Sequence, residues 1–195
     1  GENFHLQKAS IIQAVKTFLP FVTVRHPDFE CDDVIATLVM QHSKQGDECY
    51  IISSDSDFIQ LHNLCDVTLY NPVKKKLIEK PEYDYVTWKA LRGDPTDNIP
   101  GIPRVGDKTA TKLVKDEELL REFLKDTEKK KLFDTNVNLI RLVDLSTSSS
   151  EMEITSRKLD AHGLQEYFRR LEFDSMIKEK TWEKYINTFK GLSNE

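Results

Sequence analysis

The chain predicts an α/β fold in two stretches: a sheet of mostly parallel strands with helices over residues 1–82, then an all-helical region over 83–195. The two are expected to form one compact unit. Three observations carry this expectation. Helical apolar stripes alternate with short apolar strand runs over residues 5–80, the alternation that builds a helix-covered sheet. Beyond residue 83 the apolar side chains recur only at helical spacing. With 195 residues, 38% hydrophobic and 31% charged, the chain can bury a core and is too apolar to stay disordered.

Leu6, Ile11, Ile12, Val15, Phe18 and Leu19 form a helical stripe that stops at Pro20. Residues 21–25 (Phe-Val-Thr-Val-Arg) predict a short strand closed by His26-Pro27. A second helix carries Val34, Ile35, Leu38 and Val39 and ends near Gly46. A buried strand follows at 48–53, then a polar break at 54–57 and a short helical piece with Phe58 and Leu61. Residues 67–70 and 76–78 predict two more strands. In the helical half, Val86, Leu91, Leu113, Leu119 and Phe123 mark short helices. A longer helix is predicted at about 128–145, with Leu132, Phe133, Val137, Ile140 and Val143 on one side. Residues 146–150 (Ser-Thr-Ser-Ser-Ser) read as a surface loop. Two aromatic-rich helices follow, one with Tyr167 and Phe168 and one with Trp182, Tyr185 and Phe189. These stripes read as core, and the sequence shows no internal repeat.

No apolar run approaches the roughly 20 residues that cross a bilayer, and the first residues are polar and mixed, unlike a signal peptide. No membrane partner is expected. The cysteines are three, Cys31, Cys49 and Cys65, without metal-type spacing. They predict reduced thiols in a cytoplasmic protein that is not secreted. The net charge of −5 is the wrong sign for a nucleic-acid binder. Seven acids with a separate reading account for it: setting them aside leaves 26 acids against 28 Lys and Arg, a balance of +2.

Those seven fall in three clusters. Glu30, Asp32 and Asp33 lie between a strand end and the first turn of a helix, where carboxylates also serve as caps and dipole partners. Asp55 and Asp57 follow an apolar strand, at the carboxyl end where α/β sheets bind ligands, and equally suit an Asx turn. Asp94 and Asp97 stand three apart, so one helical turn would put both on one face. Each cluster alone has its bland explanation. Together they offer the carboxylate oxygens that hard cations such as Mg²⁺ take. Two such ions about 3.5–4 Å apart activate a water and stabilise the leaving oxygen of a phosphodiester. The five histidines, His5, His26, His42, His62 and His162, are scattered and suit surface or packing roles.

Residues 92–113 concentrate the signal. Asp94 and Asp97 run into a Pro/Gly-punctuated turn and then a helix start at 107–113 bearing Lys108 and Lys112, one turn apart. A glycine turn feeding a helix N-terminus suits a phosphate; the alternative for the lysines is a solvated helix face.

Three stretches together resemble a known family. Residues 29–38 (Phe-Glu-Cys-Asp-Asp-Val-Ile-Ala-Thr-Leu) are similar to the first acidic motif of the 5′-nuclease superfamily, which includes flap endonucleases, phage 5′–3′ exonucleases and the 5′-nuclease domain of bacterial DNA polymerase I. Residues 52–58 (Ile-Ser-Ser-Asp-Ser-Asp-Phe) resemble its second acidic motif. Residues 93–110 resemble its third acidic pair running into a helix–hairpin–helix, here about 93–115. The resemblance covers about residues 5–180.

It implies a PIN-like, Rossmann-like parallel sheet followed by the helix–hairpin–helix region, and structure-specific hydrolysis of DNA or RNA phosphodiesters in replication or repair. It implies two Mg²⁺ or Mn²⁺ sites, one held mainly by Glu30, Asp32 and Asp33 with Asp55 shared, the other by Asp57, Asp94 and Asp97. It also implies K⁺ at the hairpin, held by the backbone carbonyls of Ile99, Ile102 and Val105. Gly101, Arg104, Gly106, Lys108, Thr109 and Lys112 would grip the phosphate backbone, so recognition would follow DNA shape rather than sequence. The implied partners are branched or nicked duplex DNA and RNA primer–DNA.

The sequence departs from the family in three places. Cys31 replaces a common alanine, and is expected to be tolerated as a small buried residue. Arg104 stands where the hairpin usually has glycine; a positive φ there would cost arginine about 1 kcal/mol or more. The family's opening strand with its Asp ligand, the acid after it and the basic arch have no counterpart before residue 5. That predicts a fragment, a loss, or a separate polypeptide supplying the strand and arch. The competing expectation is a structure-specific DNA-binding module that does not cut. A metal-dependent phosphatase leaves residues 98–113 unexplained.

Overall fold

The computed structural model describes residues 2–192. In chain order these are α1 (Glu2–Phe18), β1 (Val22–Arg25), α2 (Cys31–Gln45), β2 (Tyr50–Ile52), a 3₁₀ segment (Asp57–Asn63), β3 (Thr68–Asn71), β4 (Lys76–Ile78), α3 (Tyr85–Arg92), α4 (Asp107–Val114), α5 (Glu117–Phe123), α6 (Thr127–Ile140), a second 3₁₀ segment (Ser146–Glu151), β5 (Glu153–Ser156), α7 (Ala161–Arg170), α8 (Asp174–Ile177) and α9 (Glu179–Lys190). Aspartates start four of the helices. Asp84, Asp116, Asp126 and Asp160 each accept a backbone N–H of the first turn through the side chain, satisfying donors that the helix cannot pair itself.

Contacts group the described residues into two compact units that do not divide at residue 82: one of residues 2–28 with 150–192, the other of residues 29–149. In the first, β1 pairs antiparallel with β5, and Leu19, Leu164 and Ile186 form a core packed by Phe168, Trp182, Tyr185 and Phe189. The predicted aromatic stripes are therefore core. In the second, β2, β3 and β4 form a sheet over Ala36, Phe58, Leu61 and Val67. The helices α3, α4 and α6 enclose smaller clusters around Ala90, Ile99 and Ile140 and around Leu91, Ile102 and Leu113. No helix among the described residues is long and apolar enough to cross a membrane.

The α/β class with a following helical region stands, with corrections in detail. The strands are not mostly parallel: β2–β3 is parallel, whereas β3–β4 and β1–β5 are antiparallel. Alternation of elements reads as a parallel layer only while each strand's partner is near in sequence, and β1 finds its partner more than a hundred residues on. The strand expected to be buried is β2, and only Ile51 of it faces the core, leaving Tyr50 67% and Ile52 72% exposed.

The helix expected to reach about 145 ends at Ile140. Polar side chains intercept its backbone. Buried Gln60 donates to the Ile140 carbonyl at 3.0 Å and accepts the Leu142 N–H at 3.0 Å. Asp33 then accepts the Val143 N–H at 2.7 Å, and Thr37, one turn along α2, accepts the Leu145 N–H at 2.8 Å. Residues 141–145 are thus laid along α2 by hydrogen bonds that apolar periodicity does not reveal. Gln60→Leu leaves two backbone groups without these partners, and urea unfolding is expected to show a loss of about 1–3 kcal/mol.

Candidate metal centre and adjoining hairpin

Each acid reaches its position through a local device. Glu30 is the N-cap residue of α2 but makes no side-chain cap bond, which leaves its carboxylate unspent. Asp32 sits in the first turn, where Cys31, exposed rather than fully buried as expected, has its Sγ 3.2 Å from Asp32 Oδ1. That hydrogen bond, with burial and the neighbouring acids, pushes the Cys31 thiol pKa up. Past the end of β2, Ser53 Oγ accepts the Asp55 N–H, and Asp55 Oδ1 accepts the Asp57 N–H at 2.9 Å. The Asx turn that explains this cluster blandly is therefore present, and it also aims Asp57 inward.

Asp94 and Asp97 are not on a helix. Asp94 and Ile99 exchange backbone hydrogen bonds of 2.9 and 2.8 Å across a four-residue turn, Asn98 takes φ 60°, and Asp94 Oδ1 accepts the Thr96 N–H at 2.8 Å. This bridged loop, rather than a helical turn, puts both carboxylates on one side.

Six of the seven acids, Glu30, Asp32, Asp55, Asp57, Asp94 and Asp97, line one cavity of about 580 Å³. Asp33 is not among them; its carboxylate is bonded to Val143. Among the described residues, the acids that converge closely enough to hold one ion are Asp57, Asp94 and Asp97, whose oxygens lie within 4.8 Å of one another. Glu30, Asp32 and Asp55 face the same space without closing into such a group. The triad is an all-carboxylate donor set and fits a hard divalent cation.

Sequence reasoning missed the residue at the centre of the triad. Lys89, 3% exposed, donates from Nζ to Asp57 Oδ1 and, at 2.6 Å, to Asp94 Oδ2, and lies 3.9 Å from Asp97 Oδ2. Its signal was a lysine on the core stripe of α3, one turn after Tyr85 and Val86. Burial works against its charge, yet the bonds to Asp57 and Asp94 raise its pKa. Burial also pushes Asp57 up, against Lys89. For Asp94 burial is outweighed by Lys89 and the Thr96 N–H, which bring it from 3.8 to about 2.

The hairpin is fastened to this loop by close backbone approach. Gly93, at φ 83°, and Gly101 lie back to back, and a Cβ on Gly101 would overlap the Arg92 carbonyl. Ile102 N–H donates to the Leu91 carbonyl at 2.9 Å, and fully buried Asn136 donates to the carbonyls of Ala90 and Pro100. Gly101, expected at the DNA, thus has a packing reason of its own. Gly106, the N-cap of α4, faces open space where a Cβ would point. Beyond it Lys108, Thr109 and Lys112 are exposed. Arg104 does adopt a positive φ, 67°, and its side chain is exposed. The Ile99 and Ile102 carbonyls each accept one backbone N–H, which leaves each a second lone pair. On the α4 side Arg92 pairs with Asp107 at 2.8 Å and lies over the Trp88 ring, whose Nε1 donates to Thr111.

A fold of this kind with clustered acids ahead of a hairpin defines a class, and comparison with known proteins identifies it. Residues 2–90 match the family description "5′-3′ exonuclease, N-terminal resolvase-like domain", and residues 80–166 match "5′-3′ exonuclease, C-terminal SAM fold". The chain belongs to the 5′-3′ exonuclease family. It is 32% identical over 200 residues to the thermostable DNA polymerase I of Thermus thermophilus, which takes in 91% of this chain and 24% of that protein. To the 5′-3′ exonuclease of Aquifex aeolicus it is 33% identical over 175 residues, 78% of this chain and 59% of that protein. The chain thus spans about a quarter of the polymerase's length and 59% of the exonuclease's. In fold it resembles a bacteriophage T5 flap endonuclease solved with DNA and metal ions, at a TM-score of 0.50, 15% identity, 85% of this chain and 60% of that one.

Two outcomes follow from the geometry. Gly101→Ala is expected to destabilise the chain by about 2 kcal/mol or more in thermal unfolding, because backbone must move, whereas Gly106→Ala leaves the melting temperature nearly unchanged. A carboxylate held below its ordinary pKa adds stability that is complete above the ordinary value and lost as pH falls through the folded value. In EDTA, Asp94 therefore contributes fully above about pH 4, and its share disappears as pH drops from 3.8 toward about 2. Denaturant titrations of wild type and Asp94→Asn across that window should converge at the acid end.

Proposed function

We propose that this chain forms the acid-lined core and DNA-gripping hairpin of a divalent-metal-dependent 5′–3′ exonuclease or flap endonuclease. The observation that supports this reading most is the single cavity on which three separately encoded acidic clusters meet, directly beside the hairpin. Carboxylates gathered at that density suit two Mg²⁺ or Mn²⁺ ions, which when bound supply an activated water and a charge partner for the leaving oxygen. Asp57, Asp94 and Asp97 would hold one ion. Glu30, Asp32 and Asp55 would contribute to the other, and Asp33 would act mainly by fixing residues 141–145 against α2. Arg104, Gly106, Lys108, Thr109 and Lys112 would take the phosphates of branched, nicked or RNA-primed duplex. A K⁺ ion would sit at the carbonyls of Ile99, Ile102 and Val105, reinforcing the turn that presents them.

A second reading, a DNA-binding module without cleavage, draws support from the Lys89 ammonium already seated among the triad. A labelled 5′-flap duplex separates the two. The chain would be incubated with it in Mg²⁺ or EDTA, alone and with a polypeptide supplying the family's acid-bearing strand and arch. Mg²⁺-dependent cleavage, reduced at least a hundredfold by Asp97→Asn, is expected for the nuclease. Asp97 is half exposed and lies 3.9 Å from Lys89 Nζ, so this substitution is expected to spare the fold. Binding with no cleavage under either condition would sink the nuclease reading.

A further inference from the structure

The carboxylates of Asp57, Asp94 and Asp97 converge within 4.8 Å, a spacing at which they repel unless a cation lies among them. The chain carries such a cation. Lys89 projects from α3, is 3% exposed, and bonds to Asp57 and Asp94 with Asp97 at 3.9 Å. Two of its three N–H donors are taken by Asp57 of the 3₁₀ segment and Asp94 of the bridged loop, with Asp97 of that loop next nearest at 3.9 Å. A buried ion pair set only for packing needs one carboxylate, and here three compete for one ammonium, leaving the group net negative. A lysine also differs from arginine in what it can do next: its compact charge rides on a flexible four-carbon stem. A divalent cation, with twice the charge and a preference for the same oxygens, competes directly with it.

We propose that Lys89 is the internal counter-ion of the Asp57/Asp94/Asp97 triad, keeping its carboxylates converged without metal and withdrawing when the triad takes a divalent cation. The inference rests on the reading of these acids as metal ligands. It makes Lys89 a positioning residue that sets the concentration of metal at which the site fills. Lowering the triad's net charge weakens its hold on a divalent ion and also prevents the acids from splaying apart when no ion is present.

The test titrates Mn²⁺ into EDTA-stripped protein, counts free ion by electron paramagnetic resonance, and follows melting in EDTA and in Mn²⁺. Lys89→Gln is expected to bind one Mn²⁺ at least about tenfold more tightly than wild type, since a unit charge a few ångströms away is removed. It should melt lower in EDTA and recover in Mn²⁺. Lys89→Arg, which keeps the charge, should stay near the wild-type affinity. A role in packing alone would lower the melting temperature without tightening Mn²⁺, and that result overturns the proposal. Should Lys89→Gln fail to fold without metal, amine labelling of wild type read by mass spectrometry decides. Lys89 is expected to be protected in EDTA and modified at saturating Mn²⁺; equal protection in both overturns the inference. If neither wild type nor Lys89→Gln takes up Mn²⁺, the metal-binding reading itself falls, and the inference with it.

Discussion

One buried ammonium joins a helix and the loop that follows it to a segment encoded well before them. Lys89 stands on α3, Asp57 opens a 3₁₀ segment more than thirty residues earlier, and Asp94 and Asp97 belong to the bridged loop that follows α3. Desolvating an ammonium is expensive, and the expense is offset only when good hydrogen bonds replace its water. The arrangement meets that condition with two close carboxylates. Breaking it by removing a carboxylate leaves a charge with fewer partners inside the protein, which is why buried clusters of this kind hold their neighbours to one geometry more strictly than apolar contacts do.

Around this centre, polar side chains rather than secondary structure position the backbone. Gln60, Asp33 and Thr37 capture the N–H groups of Leu142, Val143 and Leu145 in turn, so the segment after α6 gains its hydrogen bonds from side chains where it has no strand partner. Asn136 does the same for the hairpin, reaching from α6 to the carbonyls of Ala90 and Pro100. An unpaired buried backbone group costs more than a hydrogen bond gains. Four side chains that together bond six backbone groups, three of them in buried hydrogen bonds, therefore fix the path of otherwise irregular chain.

The same fact explains what could be read from the sequence. Helices announced themselves through apolar spacing, and most of their limits fall within a few residues of the expected ones. The acids were visible because their residue types and spacing carry chemistry directly. Strand pairing was not visible, because β1 and β5 are four residues each and meet across most of the chain. The early end of α6 was hidden because nothing in the spacing of Gln60 or Asp33 ties them to the backbone of residues 140–143. Lys89 was hidden for a related reason: on a helix, one lysine among apolar neighbours reads as a solvated edge unless the positions of distant acids are known. Asp33, which the resemblance assigns to the metal, also holds backbone: its Oδ1 accepts the Val143 N–H at 2.7 Å, a tie that residue type and spacing do not reveal.

The hairpin and the acids are mechanically one object. Asp94 and Ile99 are bridged, Gly93 and Gly101 touch backbone to backbone, and Ile102 bonds back to Leu91 at the end of the helix that carries Lys89. Only glycine at 101 allows that approach, since any Cβ would meet the Arg92 carbonyl. A phosphate gripped at the start of α4 would consequently sit at a fixed offset from the triad, with no loop free to absorb a change between them. Phosphate contacts carry no sequence information, so on the proposed reading a site coupled to its grip in this way would select a distance along the nucleic acid from the point of grip. That is a physical route by which an acid cluster and a glycine turn, each nonspecific alone, can act on the shape of a substrate.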